Sequence, residues 1–466
     1  MLPSMSDRRL LPNGLGIFRS VIRGGRGEML TGALGTLTLR CGAAVFAFLS
    51  TVILARHLGA SGYGTYAWAI AWLSVLQIAT TFGFDMLAIR EFAAHKVTSA
   101  WSAMRGLLRT GPIIVFLGST TVAFLALGAG FIFIGADQRS TFIIAVAFVP
   151  VLALTAACQG AIQGLGSVAA ARLPNDFVGP IIYLGLLLLA WRVLGLRQSA
   201  PVAIALQGAA VLVAFLFGLM VLRRVLPSQV GLTIAQPRTR EWLRRAIPLG
   251  LLNSLAIVLA QIDIILLGIL RNSTQVGFYS TSARVASFVG IAELAVNAAY
   301  LPVVARLSAA NRIDRLRTGA PMVTLGATLL SAALAAPLIV FAPQVLGLFG
   351  SSFQSAAFIL RVLCVAFLIS AAAGQNGTLL MMTKHVRPMM IGSSLALVTN
   401  IALNLIFIPF QGARGAAIAW LLSVIAWNGF LSWQVRRIHG FTATLSGLVL
   451  VSRQRAHEAQ QSDDDM

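Results

Sequence analysis

Charge is what this sequence has least of. Only 11% of its 466 residues are Asp, Glu, Lys or Arg, where an ordinary soluble domain carries about 25%. Hydrophobic residues make up 58%. A chain so poor in charge cannot cover its own surface in water, so most of that surface must meet lipid. This excludes a cytosolic enzyme, a secreted domain and a disordered scaffold. Acid is scarcest: 14 Asp and Glu stand against 35 Lys and Arg, for a net charge of +21. In a soluble protein such an excess points to nucleic acid. Here the basic loops of a membrane protein account for it, and no nucleic-acid partner is expected. Lysine is nearly missing, with Lys96 and Lys384 alone; this is given no mechanistic weight. Cys41, Cys158 and Cys364 are isolated in apolar runs. Their spacing offers neither a metal site nor a disulfide, so no metal and no cofactor are expected. No polar stretch is long enough for a soluble catalytic domain, and the chain does not read as an enzyme.

What is present in abundance is apolar runs. Crossing a bilayer takes about 20 mostly apolar residues in a helix. Twelve segments qualify: 31–55, 63–85, 111–134, 141–165, 176–195, 201–222, 246–270, 276–303, 321–349, 355–381, 388–409 and 414–434. Lipid offers the backbone no hydrogen bonds, so these are helices and the fold is all-α. Pro150, Pro180, Pro248, Pro302 and Pro337 fall among them, as tolerated kinks or as hinges of a moving transporter.

Basic residues alternate with the loops: 25 lie on the side of both termini and six on the other, namely Arg56, Arg139, Arg192, Arg197, Arg271 and Arg414. That asymmetry places both termini in the cytoplasm. Residues 1–30 are basic and Gly-rich without a cleavage-site pattern, and read as a cytoplasmic arm. Residues 31–225 and 246–436 then form two lobes of six helices each, joined by a basic cytoplasmic linker at 226–245. A cytoplasmic tail at 437–466 follows. The lobes repeat at a shift of about 210 residues. Gly64-Thr65-Tyr66 matches Gly277-Phe278-Tyr279, Arg109-Thr110-Gly111 matches Arg317-Thr318-Gly319, and Ala203-Ile204-Ala205 matches Ala417-Ile418-Ala419. Six helices return the chain to its starting side, so the repeat is parallel, and two such bundles leave a cleft between them.

Charge inside hydrocarbon is costly and its position informative. Arg40, Arg284 and Arg361 lie within apolar segments. A guanidinium facing a cleft suits a phosphate, because its fork of donors matches phosphate oxygens. The competing reading is snorkelling or a bond to a carbonyl, strongest for Arg361. Asp263 and Glu293 are the intramembrane acids. They are candidates to couple transport to H+ or Na+, or to pair across helices with Arg284. Arg90, beside Asp85 and Glu91, reads as a local ion-pair cluster. Asn400 and Asn404 share one helix face, as do Gln159 and Gln163. Interhelical hydrogen bonding is expected of them, with Asn400, Asn404 and Gln159 as polar candidates for the cleft. Gly160 and Gly164 favour close helix packing. Tyr63, Tyr66 and Trp68 read as interfacial aromatics.

Several stretches resemble a known family. Leu54-Ala55-Arg56-His57-Leu58-Gly59-Ala60-Ser61-Gly62-Tyr63-Gly64-Thr65-Tyr66 looks like the first-loop signature of bacterial polysaccharide transporters. These are the Wzx-type lipid-linked oligosaccharide flippases of the multidrug/oligosaccharidyl-lipid/polysaccharide exporter superfamily. Gln261-Ile262-Asp263 through Gly277-Phe278-Tyr279-Ser280 is similar to the start of their second half. Pro302 with Ala305-Arg306-Leu307 fits the end of their eighth helix, and Asn404 to Pro409 with Gly412-Ala413-Arg414-Gly415-Ala416-Ala417 fits their last hairpin. The resemblance implies a multi-pass protein of the bacterial inner membrane that flips undecaprenyl-diphosphate-linked oligosaccharide to the periplasmic leaflet. It places the chain in O-antigen or exopolysaccharide biosynthesis, with membrane lipids, a polysaccharide polymerase and a chain-length regulator as partners. A cation-coupled drug or metabolite antiporter of the same superfamily is the alternative. Such an antiporter would be expected to line its cleft with acids, whereas intramembrane Arg here equals or exceeds Asp and Glu. A membrane glycosyltransferase or polymerase lacks support, since no carboxylate cluster is present.

Overall fold

The structure, a computed structural model, describes residues 27–447 apart from 82, 237–238, 311 and 384. Every regular element among them is helical. Ten helices among the described residues are long and apolar enough to cross a bilayer. The twelve expected crossings follow once two helices are divided correctly. α1 (Gly27–Thr81) has 55 residues, or ~80 Å, more than twice a hydrocarbon core of ~30 Å. Its helical geometry fails once, at Gly59, where φ is 66° and ψ −178°. A side chain would strain that conformation, so glycine marks the joint between two crossings. The expected loop at 56–62 is therefore helix on both sides of a single residue. α2 (Phe84–Val97) continues beyond Gly83, α3 (Trp101–Phe133) follows, and α4 (Ala136–Ala147) with α5 (Val149–Gly164) makes one crossing. Pro150 sits at the start of α5, where a helix needs no N–H from it. α6 (Val168–Val193) contains two π turns, at Pro174–Val178 and Leu189–Val193. α7 (Ala200–Val225) closes the first half.

The second half opens with α8 (Thr239–Leu270), whose apolar end, Ser254–Leu270, is the other crossing. α9 (Ser273–Ala309), α10 (Ile313–Val340), α11 (Ala357–Ala373), α12 (Asn376–Met382), α13 (Val386–Gln411) and α14 (Ala413–His439) follow. Two expected boundaries change. The segment 321–349 stops at Val340 and restarts as a short helix, Ala342–Gly347. The segment 355–381 is broken at Gly374, between α11 and α12. Beyond α14 the chain stays with the bundle: Phe441 and Ala443 are buried against α9, α12 and α14.

The linker is docked too. Trp242 is 1% exposed, packed among Phe84, Leu87, Phe92 and Met104 of the first half. Gln236 N–H donates to Ser102 O (3.1 Å), and Arg105 donates to Thr233 O. Glu91 does not pair with Arg90 as expected; it accepts from Arg245 of α8 (3.0 Å) and meets His95 of its own helix (3.4 Å). The reason is geometric: α2 and α8 pack side by side, which brings the arginine-rich start of α8 to a buried carboxylate. Gly160 and Gly164 do allow close packing, because a methyl on either would press on the backbone of α2 at Asp85 or Ile89.

The end of the bundle poor in basic residues is closed. α9 packs along α1, and α8 packs on α1 as well. Arg56 Nε donates to Leu348 O (2.6 Å), Thr65 Oγ1 to Ser273 Oγ (3.1 Å) and Gln138 Nε2 to Ser273 Oγ (3.0 Å). Arg271 donates to the carbonyls of Ile408 and Pro409 at the end of α13, and Arg139 to those of Phe131 and Ile134 at the end of α3. Cations at helix C-termini meet the negative end of the macrodipole, so these guanidiniums are structural caps.

Candidate functional site

Two polar groupings stand out among the intramembrane residues. The first is built on Asp263, 2% exposed in α8. Tyr279 Oη of α9 donates to its Oδ2 (2.5 Å), and Asn404 Nδ2 of α13 donates to its Oδ1 (2.6 Å). Asn404 Nδ2 also reaches Asn400 O (2.9 Å) and Asn400 Oδ1 (3.0 Å). The spacing of four that put both asparagines on one face thus bonds α13 to α8, as expected. Asn400 Nδ2 and Asn404 Oδ1 stay buried without a partner. The result is a carboxylate surrounded by neutral hydrogen-bonding groups, with no cation paired to it among the described residues.

The second grouping is Arg284, ~16 Å along α9 from its start. It is exposed, while Tyr63 and Tyr66 of the other half lie within its electrostatic reach. Among the described residues no carboxylate pairs with it. This corrects the expectation that Asp263 or Glu293 would: Asp263 is held by Tyr279 and Asn404, and Glu293 accepts from Ser370 Oγ (3.2 Å). The aromatics are also corrected. Tyr63, Tyr66 and Trp68 are 4%, 8% and 3% exposed, so they are not at a lipid interface. Tyr66 Oη donates to Gln207 Oε1, and Trp68 Nε1 donates to Ile265 O of α8 (3.3 Å). The second crossing of α1 faces the opposite half, and that buries them.

The remaining candidates are scattered. Arg361 Nε donates to Ile339 O of α10 (3.1 Å), the carbonyl bond weighed for it. Gln159 accepts from Asn175 Nδ2 (3.1 Å) inside the first half, beside a pocket lined by Thr155, Cys158 and Phe215. The side chain of Arg40 lies outside the described residues. Sequence reasoning missed Tyr279 and Gln207. Tyr279 was in view as the repeat partner of Tyr66, which was the signal available.

The family model described as "Polysaccharide biosynthesis protein" matches residues 29–308, more than half the chain. The chain belongs to this family. A second model, MatE, matches residues 248–406. No curated protein sequence matches. Among solved structures the chain is similar to an inward-facing multidrug resistance MATE family transporter of the MOP superfamily, at 15% identity and TM-score 0.70. That alignment covers 88% of this chain and 98% of the transporter. The lipid II flippase MurJ in an inward closed conformation aligns at 12% identity and TM-score 0.68, covering 87% of each chain. A MOP superfamily transporter from Pyrococcus furiosus, whose binding pocket is described as of reverse polarity, aligns at 18% identity and TM-score 0.59, over 87% of this chain and 94% of that one. At these identities the likeness is one of fold: a polytopic, two-lobed transporter architecture.

Proposed function

We propose that this family member is an alternating-access flippase. It moves undecaprenyl-diphosphate-linked oligosaccharide from the cytoplasmic to the periplasmic leaflet of the bacterial inner membrane, for surface or exopolysaccharide synthesis, with both termini cytoplasmic. The observation that carries the reading is Arg284: an exposed guanidinium within electrostatic reach of Tyr63 and Tyr66 of the other half, with no acid pairing it among the described residues. A diphosphate is the part of such a substrate that lipid resists most, and charge-assisted bonds to Arg offset much of that cost. Arg40 is proposed to join it. Arg361, already bonded to Ile339, contributes mainly long-range charge. A drug antiporter for cations would instead need acid facing the seam, but Asp263 is enclosed by its own half. Asp263 and Glu293 are proposed to carry the coupling H+ or Na+. A polysaccharide polymerase and a chain-length regulator are the proposed partners downstream.

The test is genetic. Deleting the gene should leave diphosphate-linked glycan accumulated on the cytoplasmic leaflet, and re-expression should clear it. Normal glycan export in the deletion strain, with altered drug tolerance instead, would favour the antiporter.

A further inference from the structure

The linker between the halves carries two bare aliphatic side chains where an aqueous loop would carry polar ones. Leu232 and Ile234 are 88% and 87% exposed. Neither belongs to a crossing: the short helix Gln229–Leu232 ends there, and Thr233 is extended at φ −95° and ψ 156°. Side chains two apart in extended backbone share a face. The rest of the segment is fixed to the protein. Val230 is buried in the cluster that holds Met104 and Leu107, Thr233 O accepts from Arg105, and Gln236 N–H donates to Ser102 O. So pinned, the segment cannot turn to bury the pair against α3.

Its level is that of the headgroups. Met220 is the last strongly exposed apolar residue of α7. Leu226 follows six residues on, ~9 Å along the axis. There the chain turns back, for Leu222, Val225 and Leu226 pack against the cluster that holds Val230. Headgroups add about 5–7 Å to each side of the hydrocarbon, so the segment lies at the edge of that layer. The charge is one-sided. Residues 223–245 hold six arginines and one acid, Glu241, which pairs with Arg245 (2.6 Å). Arg223, Arg224, Arg240 and Arg244 are exposed. An aliphatic face flanked by arginines suits an anionic bilayer surface. A bilayer already stands at that depth, whereas a protein partner would have to reach into the headgroups.

We infer that Leu232 and Ile234 insert into the bilayer surface, where anionic phospholipid headgroups meet the flanking arginines. The linker is then a membrane anchor rather than an aqueous tether. Because Trp242, Thr233 and Gln236 fix it to the first half, the anchor holds that half against the lipid. That the surface is the cytoplasmic one rests on the proposed orientation. The contact itself does not, and reconstituted protein reports it in either orientation.

The experiment uses the full-length protein with its native cysteines replaced by serine and a polarity-sensitive fluorophore on Ile234→Cys. It is reconstituted in nanodiscs of phosphatidylcholine, alone or with phosphatidylglycerol added. The label should emit to the blue of the same label on Ser228→Cys, an exposed polar position of the same linker. Lipids carrying a nitroxide near the headgroup should quench it, and aqueous acrylamide should quench it less than at Ser228. Phosphatidylglycerol should enlarge the blue shift, and high salt should cancel that gain. Labelling Leu232→Cys instead should repeat the result, so a folding defect of one variant does not decide the outcome. Equal acrylamide quenching at both linker positions in both lipids overturns the insertion and leaves the pair to a protein partner. An identical shift in the two lipids overturns the anionic contact. Neither result bears on glycan export, so the proposed flippase stands or falls separately.

Discussion

Gly64 packs against the carbonyl of Ser273, and Gly277 packs against that of Ala60. The interval from Ala60 to Ser273 equals that from Gly64 to Gly277, so the two contacts are the same contact seen from either half. Each helix presents a small residue, three intervening residues and a glycine, and the two cross backbone to backbone. The repeat read from short tripeptides is therefore a physical two-fold relation at the closed end. A methyl on either glycine would overlap the opposing backbone. Beside this close packing, the polar contacts Thr65–Ser273, Gln138–Ser273 and Arg56–Leu348 join the halves at this end.

That gives a cross-linking prediction. The hydroxyls of Thr65 and Ser273 are 3.1 Å apart, close enough for cysteines there to reach a sulfur–sulfur bond of about 2 Å. With the native cysteines replaced by serine, Thr65→Cys with Ser273→Cys should cross-link under mild oxidant. Transport should stop and return on reduction. Gly64→Val should reduce the cross-linked fraction. Full transport by the cross-linked protein would show that this end does not open.

Asp263 gives a coupling prediction. Asp263→Asn keeps the size of the side chain and removes the charge, so transport should lose its dependence on the cation gradient while protein level holds. Tyr279→Phe and Asn404→Ala should each cost about 1–3 kcal/mol, the range for a buried partner left unsatisfied. An unchanged gradient dependence in Asp263→Asn would make the cluster structural only.

Arg271 should behave differently. Its bonds cap the end of α13. Arg271→Ala should lower stability by about 1–2 kcal/mol and leave substrate affinity unchanged. Thermal unfolding and transport titration separate the two effects. A change of affinity at constant stability would place Arg271 in the substrate path.

Orientation is checked with reporter fusions. Tags after Met466 and near Gln236 should both report from the cytoplasm, as the basic-residue count requires. A periplasmic signal at either position would contradict the twelve-crossing topology.

The helices were legible because lipid leaves the backbone one solution and hydropathy marks its length. The repeat was legible at Gly64 and Gly277 because close backbone approach admits few residues. Asn400 and Asn404 could be placed on one face from their spacing. Their partner could not, because the approach of α13 to α8 is a matter of tertiary packing. Trp68 and Tyr66 misled for a related reason. An aromatic near a helix end has the same local sequence whether its neighbour is a headgroup or another lobe. Gly374 was hidden inside a continuous apolar run, where composition does not reveal a left-handed φ.

The central claim is that Arg284 receives an anionic headgroup. Its most direct measurement is flipping of a fluorescent polyprenyl-diphosphate oligosaccharide in proteoliposomes, at matched protein content, for wild type, Arg284→Lys and Arg284→Ala. The guanidinium fork should be worth more than charge alone. Lys should retain a reduced rate, and Ala should lose on the order of a hundredfold, about 3 kcal/mol for a lost charge-assisted bond. Equal rates for all three proteins, with normal insertion of each, would contradict it.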